Sequence, residues 1–411
     1  MRIIYKIIAL ISLPMLSLGI CLDAFSANDD SSTLTTTLIG NDAPYANEGI
    51  RFSCNLSRLN HIRSSMTAYL SALGIAPNLV LTRMDQSNSL LSYTLNAPKD
   101  DFDTLQLKYT PEYAIRDVIV LLPGKNGEMR KVVTVSKKEI LLAFLQHGRL
   151  TEFSGTNCDL NALMEQVNIR QNIVAWSGSL NWSWPDGGPA KWNAKYWHRG
   201  TPLPNVPLHA AFGDALNNQK KYAIGCYTAA KLVIVQGILD YYRRIKNDKL
   251  QLKLVEARLV LDQEPLVDIE PGEMWSFEKD FDSQKLTRPG KILKIQHHVA
   301  PRNFVPGDWV YILNTDPISS QKTGYEGSNA IYLGRNKFAD YYNDNNHSYT
   351  YQQKLDEVYQ WRNGVFSRSR DSDKIKPLSK DDYERLGKPP FERGRVQSFR
   401  VFPNSFLSFG S

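Results

Sequence analysis

In "KKYAIGCYTAAKLVIVQGILDYY", residues 220–242, a single cysteine, Cys226, stands just ahead of a long apolar run. A thiol in the first turn of a helix meets backbone N–H groups and the positive end of the macrodipole, which favour the thiolate over the thiol. The same N–H groups can donate to the oxyanion formed when a thiolate attacks an amide or ester carbonyl. Thiol acyl transfer is the chemistry these residue types permit. On local sequence alone the competing reading, Cys226 as a small buried hydrophobe, stays open.

The cysteine count bears on that choice. Arg2 and Lys6 precede an apolar stretch, Ile7 to Ile20, too short for a membrane span, and Ala24-Phe25-Ser26 supplies small residues at a cleavage site. Residues 1–26 read as a secretory signal, and the expected location is secreted or periplasmic. Cys21 follows Ile20, where a lipid-anchor signal needs a small residue. Of the four cysteines, Cys54, Cys158 and Cys226 then remain in an oxidising compartment. A Cys54–Cys158 disulfide is expected, which leaves Cys226 as the odd thiol.

Other chemistries lack their residues. The formal net charge is +7, with basic residues scattered among acidic ones, so nucleic acid is not an expected partner. No later segment is long and apolar enough to span a membrane. Cys-x-x-Cys, His-Glu-x-x-His, Gly-rich phosphate loops and Gly-x-Ser-x-Gly are missing. No metal site and no cofactor are expected.

The elements that must position Cys226 follow from periodicity and punctuation. Residues 27–173 read as an N-terminal α+β domain. It holds a helix over 57–73 stopped by Gly74, a hairpin turning at Asn126-Gly127, and a helix opened by a Ser136/Glu139 capping box. Five of the eight tryptophans fall between 174 and 200. Most should cover a core, with Trp182 and Trp184 as candidate cleft walls that bind substrate. Residues 219–246 read as one long helix, apolar on every side and therefore buried. Strands are expected at 252–261, 291–300, 308–314, 329–334 and 337–342, then an amphipathic helix over 351–361 and a polar C-terminal segment ending in "VQSFRVF". The fold class is α+β, with a second domain over 174–411.

Two segments carry a family resemblance. "KKYAIGCYTAAKLVIVQGILDYY" resembles the nucleophile segment of the bacterial spore-type protein-glutamine gamma-glutamyltransferases, small transglutaminases of the papain-like cysteine superfamily. "PGDWVYILNTDPISSQKTGYEGSNAIYLGRNKFADYY", residues 306–342, is similar to the same family's Pro-Gly-Asp strand, loop and Gly-Glu-Asn-Val-Ile strand. Together they cover about 218–342. The resemblance implies a papain-like core, with the cysteine helix packed on an antiparallel sheet. It also implies a protein or peptide substrate bearing glutamine, and an amine donor. Cys226 would attack the glutamine γ-carboxamide, expel ammonia and form a thioester that a lysine amine resolves into a crosslink, or water into a deamidated product.

The partner residues depart from that pattern. Ser328 stands where these transglutaminases carry their catalytic glutamate and the related peptidases their histidine. Glu326, two residues earlier and so expected on the same strand face, is the first candidate for the missing carboxylate. Where the family's second strand ends in Gly-His-Gly, this chain has Asp340, Tyr341 and Tyr342. Asp340 is the second candidate carboxylate and Tyr341 its orienting partner, while Ser328, Asn329 and Tyr341 are expected to line the substrate side. His297, His298 and His347 are the histidines weighed as a base. Two further readings stay open: a cell-wall peptidase or amidase, and a binding protein that has lost catalysis.

Overall fold

Asn55 starts the first helix, its side-chain oxygen accepting the Arg58 N–H at 2.9 Å. This helix, α1 (Leu56–Ala72), buries Leu59, Ile62, Met66 and Leu70, the helical stripe expected from the sequence. In the computed structural model the described residues are 48–97, 103–104, 111–178, 180–185, 188–261, 294–297, 301–314, 319–322, 324–343, 348–361, 379–381, 384 and 397–401. All of them belong to the compact unit Tyr45–Ser411. The expected signal segment, His298 and His347 lie outside the described residues. Among the described residues no helix is long and apolar enough to cross a membrane.

The strands β1 (Gly49–Ser53), β2 (Val80–Asp85) and β3 (Leu90–Leu95) are followed by the expected hairpin of β4 (Val118–Pro123) and β5 (Met129–Thr134). Ser136 then caps α2 (Lys137–Leu145) by accepting the Glu139 N–H at 3.1 Å. The Glu139 side chain does not return to complete a reciprocal cap. It is buried, with its carboxylate 3.1 Å from the Arg335 guanidinium. Adding β6 (Leu150–Ser154) completes a sheet of order β2-β3-β1-β6, in which only β1 and β6 run parallel. Cys54 and Cys158 form the expected disulfide beside it, and Cys226 stays outside any disulfide.

Helix α3 (Leu160–Ser177) serves two cores. Leu160, Leu163 and Val167 pack with the first sheet and α2, whereas Ile169, Ile173 and Trp176 pack with helices further along the chain. A short ribbon of β7 (Trp197–His198) and β8 (Thr201–Pro202) leads to α4 (Leu208–Asn217). The long helix expected over 219–246 is divided. Gln219–Lys221 is a single 3-10 turn, Tyr222 is extended, Ala223 bridges to Ser183 and Lys191, and α5 runs only over Cys226–Asp240 before a π-helical turn, Tyr241–Ile245. The Tyr222 hydroxyl donates to buried Asp214 at 2.5 Å, which holds this segment out of the helix. Helix α5 is buried on all sides, as its all-apolar middle requires.

The strand expected at 252–261 is instead a helix, α6 (Lys249–Leu261). Asp248 accepts the Gln251 N–H at 2.9 Å, and Leu252, Val255 and Leu259 form its buried stripe. Leucine, lysine, glutamate, alanine and arginine all favour a helix here, and the apparent alternation of Leu252 and Leu254 is outweighed.

The second sheet has the order β13-β12-β11-β10-β14-β9, antiparallel throughout. Its members are β9 (Lys294–His297), β10 (Trp309–Leu313), β11 (Gly327–Gly334), β12 (Lys337–Ala339), β13 (Ser348–Tyr349) and β14 (Gln397–Val401). The terminal "VQSFRVF" thus supplies a strand between β10 and β9. Thr350 and Gln353 form a capping box that opens α7 (Tyr351–Gln360). One face of the sheet, through Trp309 and Ile331, packs on the α5 core, and the other, through Val310, Ala330 and Tyr332, packs under α7.

Candidate active site

Cys226 is the first residue of α5 and is 8% exposed. Its predecessor, Gly225, has extended geometry and no side chain to cap the helix. The sulfur therefore sits where the helix presents its first N–H groups and its positive end. From the sheet, the Asn329 N–H approaches Sγ at 3.5 Å and the Asn329 amide nitrogen at 3.6 Å. The Asn329 side-chain oxygen in turn accepts the Trp309 Nε1–H at 2.9 Å.

This placement fixes the two faces of β11. Asn329 and Ile331 look towards α5, and their neighbours Ser328, Ala330 and Tyr332 look towards α7. Ser328 is accordingly remote in bonding from Cys226. Its hydroxyl lies 3.3 Å from the Glu357 carboxylate and 3.1 Å from the Lys354 ammonium, which are themselves paired at 2.7 Å. Glu326 turns back on its own loop, its carboxylate accepting the Gly324 N–H at 3.0 Å. The structure thus brings Asn329 to Cys226, and brings neither Ser328 nor Glu326 there.

Asp340 and Tyr341 follow β12 and are both buried. Asp340 accepts the Tyr342 N–H at 3.3 Å. Burial holds the Tyr341 phenol well above its ordinary range, and negative charge on Cys226 and on Asp340 pushes the same way, against the Ile331 N–H. Tyr341 is therefore a neutral phenol that shares one electrostatic neighbourhood with both groups. Trp182 is fully buried, donates from its indole to the Ala215 carbonyl at 2.8 Å and stands 6.5 Å from the Tyr341 ring. It backs Tyr341 from within the core and does not present an open cleft wall. Trp184 is half-buried and packs edge-to-face on Tyr325 at 5.3 Å. His297 lies on β9, beyond β14 from β10.

Sequence reasoning passed over two residues. Trp309 was readable only as a strand hydrophobe, and its indole N–H acquires a role only through the register of β10 on β11. Lys231 is fully buried one turn along α5, its ammonium 4.1 Å from the Tyr227 ring, while Tyr227 packs on Trp309 at 5.4 Å. Among the described residues no group of three or more histidine, cysteine or carboxylate side chains could hold a metal ion.

The family model for protein-glutamine gamma-glutamyltransferase matches residues 125–362, a span that contains Cys226, Trp309, Asn329, Asp340 and Tyr341. The chain belongs to that family. Among solved structures it is similar to a transglutaminase from Geobacillus stearothermophilus (without C-terminal extension). The identity is 17%, over 60% of this chain and 95% of that one, with a TM-score of 0.33. No curated protein matches it. The transglutaminase family is thus placed on the chain by a match that starts in the turn between β4 and β5 and runs through α3, α5 and the core of the second sheet.

Proposed function

We propose that this chain is an exported glutamine acyltransferase with a papain-like core, in which Cys226 carries the acyl group. The observation that carries the reading is a cysteine outside any disulfide, at the uncapped first turn of α5, with the Asn329 N–H groups at its sulfur. The thiolate attacks the γ-carboxamide carbon of a protein-bound glutamine. The carbonyl electron pair moves to oxygen, where the first N–H groups of α5 are placed to receive it. The base, carrying the proton it took from the thiol, returns it to the nitrogen, and collapse of that intermediate expels ammonia and leaves a thioester. A primary amine then attacks, forms the amide and returns the sulfur as thiolate; water in its place gives glutamate.

The protons need a carrier near the sulfur. Of the two carboxylates expected from the sequence, Asp340 shares its surroundings with Tyr341 and through it with Cys226, so we assign it the base, with Tyr341 as orienting partner. Trp184, at the half-buried edge of the tryptophan-rich segment, is the assigned substrate contact. Export fits the Cys54–Cys158 disulfide, a bond that persists in oxidising compartments.

The test is incubation of the protein with a labelled primary amine and a glutamine-rich acceptor protein. The expected result is covalent incorporation that Cys226→Ala abolishes with little change in melting temperature. Release of ammonia without incorporation would make the enzyme a deamidase. Peptide-bond cleavage would turn the reading to a peptidase, and no turnover of any kind would turn it to a binding protein.

A further inference from the structure

The indole N–H of Trp309 can only donate, so the Asn329 atom facing it at 2.9 Å must be the amide oxygen. That one bond decides which way the amide points. Its nitrogen is turned to the Cys226 sulfur at 3.6 Å, beside the Asn329 backbone N–H at 3.5 Å. All three groups are buried, Trp309 completely. The packing that fixes them is equally determinate, because Trp309 is paired with Ile331 across β10 and β11 and is covered by Tyr227 from α5.

We infer that Asn329 is the residue that holds the Cys226 thiolate, and that Trp309 is a positioning residue that orients the Asn329 amide for that task. The inference rests on the acyltransferase reading and extends it to a specific anion cradle. Two sheet donors and the start of α5 converge on the sulfur from different elements, in a buried setting where hydrogen bonds to an ionised group are stronger than those between neutral groups. The carboxamide is also suited to a site whose sulfur passes from thiolate to neutral thioester and back, because a carboxamide carries no charge of its own to trap either state. A carboxylate in its place would repel the thiolate.

Among the described residues Tyr341, after β12, is electrostatically coupled to both the thiol and Asp340, and Tyr227 and Lys231 follow the cysteine along α5. None is altered in the test, which follows the rate of alkylation of Cys226 by iodoacetamide as pH is raised. A change in reagent access moves the plateau rate, whereas a change in thiolate stability moves the midpoint of the rise. Asn329→Ala should move the midpoint up by about one pH unit, the tenfold loss expected from removing one hydrogen bond to a charged group. Asn329→Asp, which keeps the Trp309 bond, should move it further in the same direction. Trp309→Phe should raise the midpoint by a smaller amount, and that increment should vanish when Asn329 is already alanine.

An unchanged midpoint in Asn329→Ala overturns the role of Asn329. An equal Trp309→Phe increment in both backgrounds overturns the role of Trp309 and marks it as packing alone. Neither readout uses a glutamine substrate, so failed amine incorporation with the expected midpoints would sink the acyltransferase reading and leave the cradle standing, and the reverse pattern would do the opposite.

Discussion

A carboxylate can take a proton from a thiol only if strand geometry delivers both to one side. The spacing of two residues suggests that Glu326 and Ser328 share a face, but Ser328 faces α7, where it bonds to Lys354 and Glu357, and Glu326, ahead of β11, bonds to its own loop. The proposed nucleophile was legible because a cysteine ahead of an all-apolar run stood out in a chain with one odd thiol. The face of β11 was not. Ala330 and Tyr332 on one side are as buried as Asn329 and Ile331 on the other, so no apolar and polar alternation marks which side meets the helix. The chemistry depends on that geometry. Glu326→Gln should leave amine incorporation within about twofold of the parent enzyme, whereas Asp340→Asn should lower kcat/KM by about a hundredfold, the scale of a lost general base. Steady-state assays of the two variants decide it, and the reverse order would return the base to the β10–β11 loop.

At the scale of elements, sequence signals worked wherever local chemistry decided the outcome. The stop at Gly74, the cap at Ser136, the turn at Gly127 and the all-round burial of α5 are of this kind. They failed where tertiary contacts overrode a pattern, as in the non-helical segment 222–225 ahead of Cys226, or where two patterns coexisted, as in α6. One contact that positions α5 was invisible altogether. Gly237, mid-helix, is where α5 lies against Ile173 of α3, and a Cβ there would run into the Ile173 side chain and crowd its backbone. Asn172 seals the crossing by donating to the Gly237 carbonyl at 2.7 Å and to Asp240 at 3.2 Å. Helix propensity alone would make Gly237→Ala stabilising by up to about 1 kcal/mol. Overpacking at a close helix crossing costs about 1 to 3 kcal/mol and should prevail. The variant is therefore expected to unfold at lower denaturant concentration, and because α5 must shift, to lose amine incorporation as well. An increase in stability would mean that the helices separate there without cost.

For the molecule as a whole, the decisive feature is how the first sheet and the second are tied through buried charge. Asp308, in the Pro-Gly-Asp turn before β10, is fully buried between Arg149, at 2.5 and 3.0 Å, and Arg170, at 2.9 Å. Burial alone would raise its carboxyl, yet the two guanidinium groups and the Val305 N–H hold it below the usual carboxylate range. α3 crosses the boundary expected near residue 173 and contributes side chains to both cores. Glu139 is the second tie, reaching from α2 to Arg335 in the turn after β11, but its balance is opposite. Burial raises its carboxyl to about 8, with Lys337 and the Arg335 N–H only partly opposing this. A carboxyl raised in the folded state holds its proton more tightly folded than unfolded. Its contribution to stability is then intact below about pH 4.5, the unfolded value, and is lost as pH rises towards about 8. By neutral pH the loss is on the order of 3 kcal/mol. Glu139→Gln keeps the shape and cannot ionise, and Arg335 retains Asp117 as a partner. The variant should match the parent protein in denaturant midpoint near pH 4.5, exceed it increasingly through neutrality, and hold a constant advantage above about pH 8. If instead the variant is the less stable protein at neutral pH, Glu139 is ionised in the fold and Arg335 stabilises it as an ion pair, and the tie between the two sheets works there as it does at Asp308.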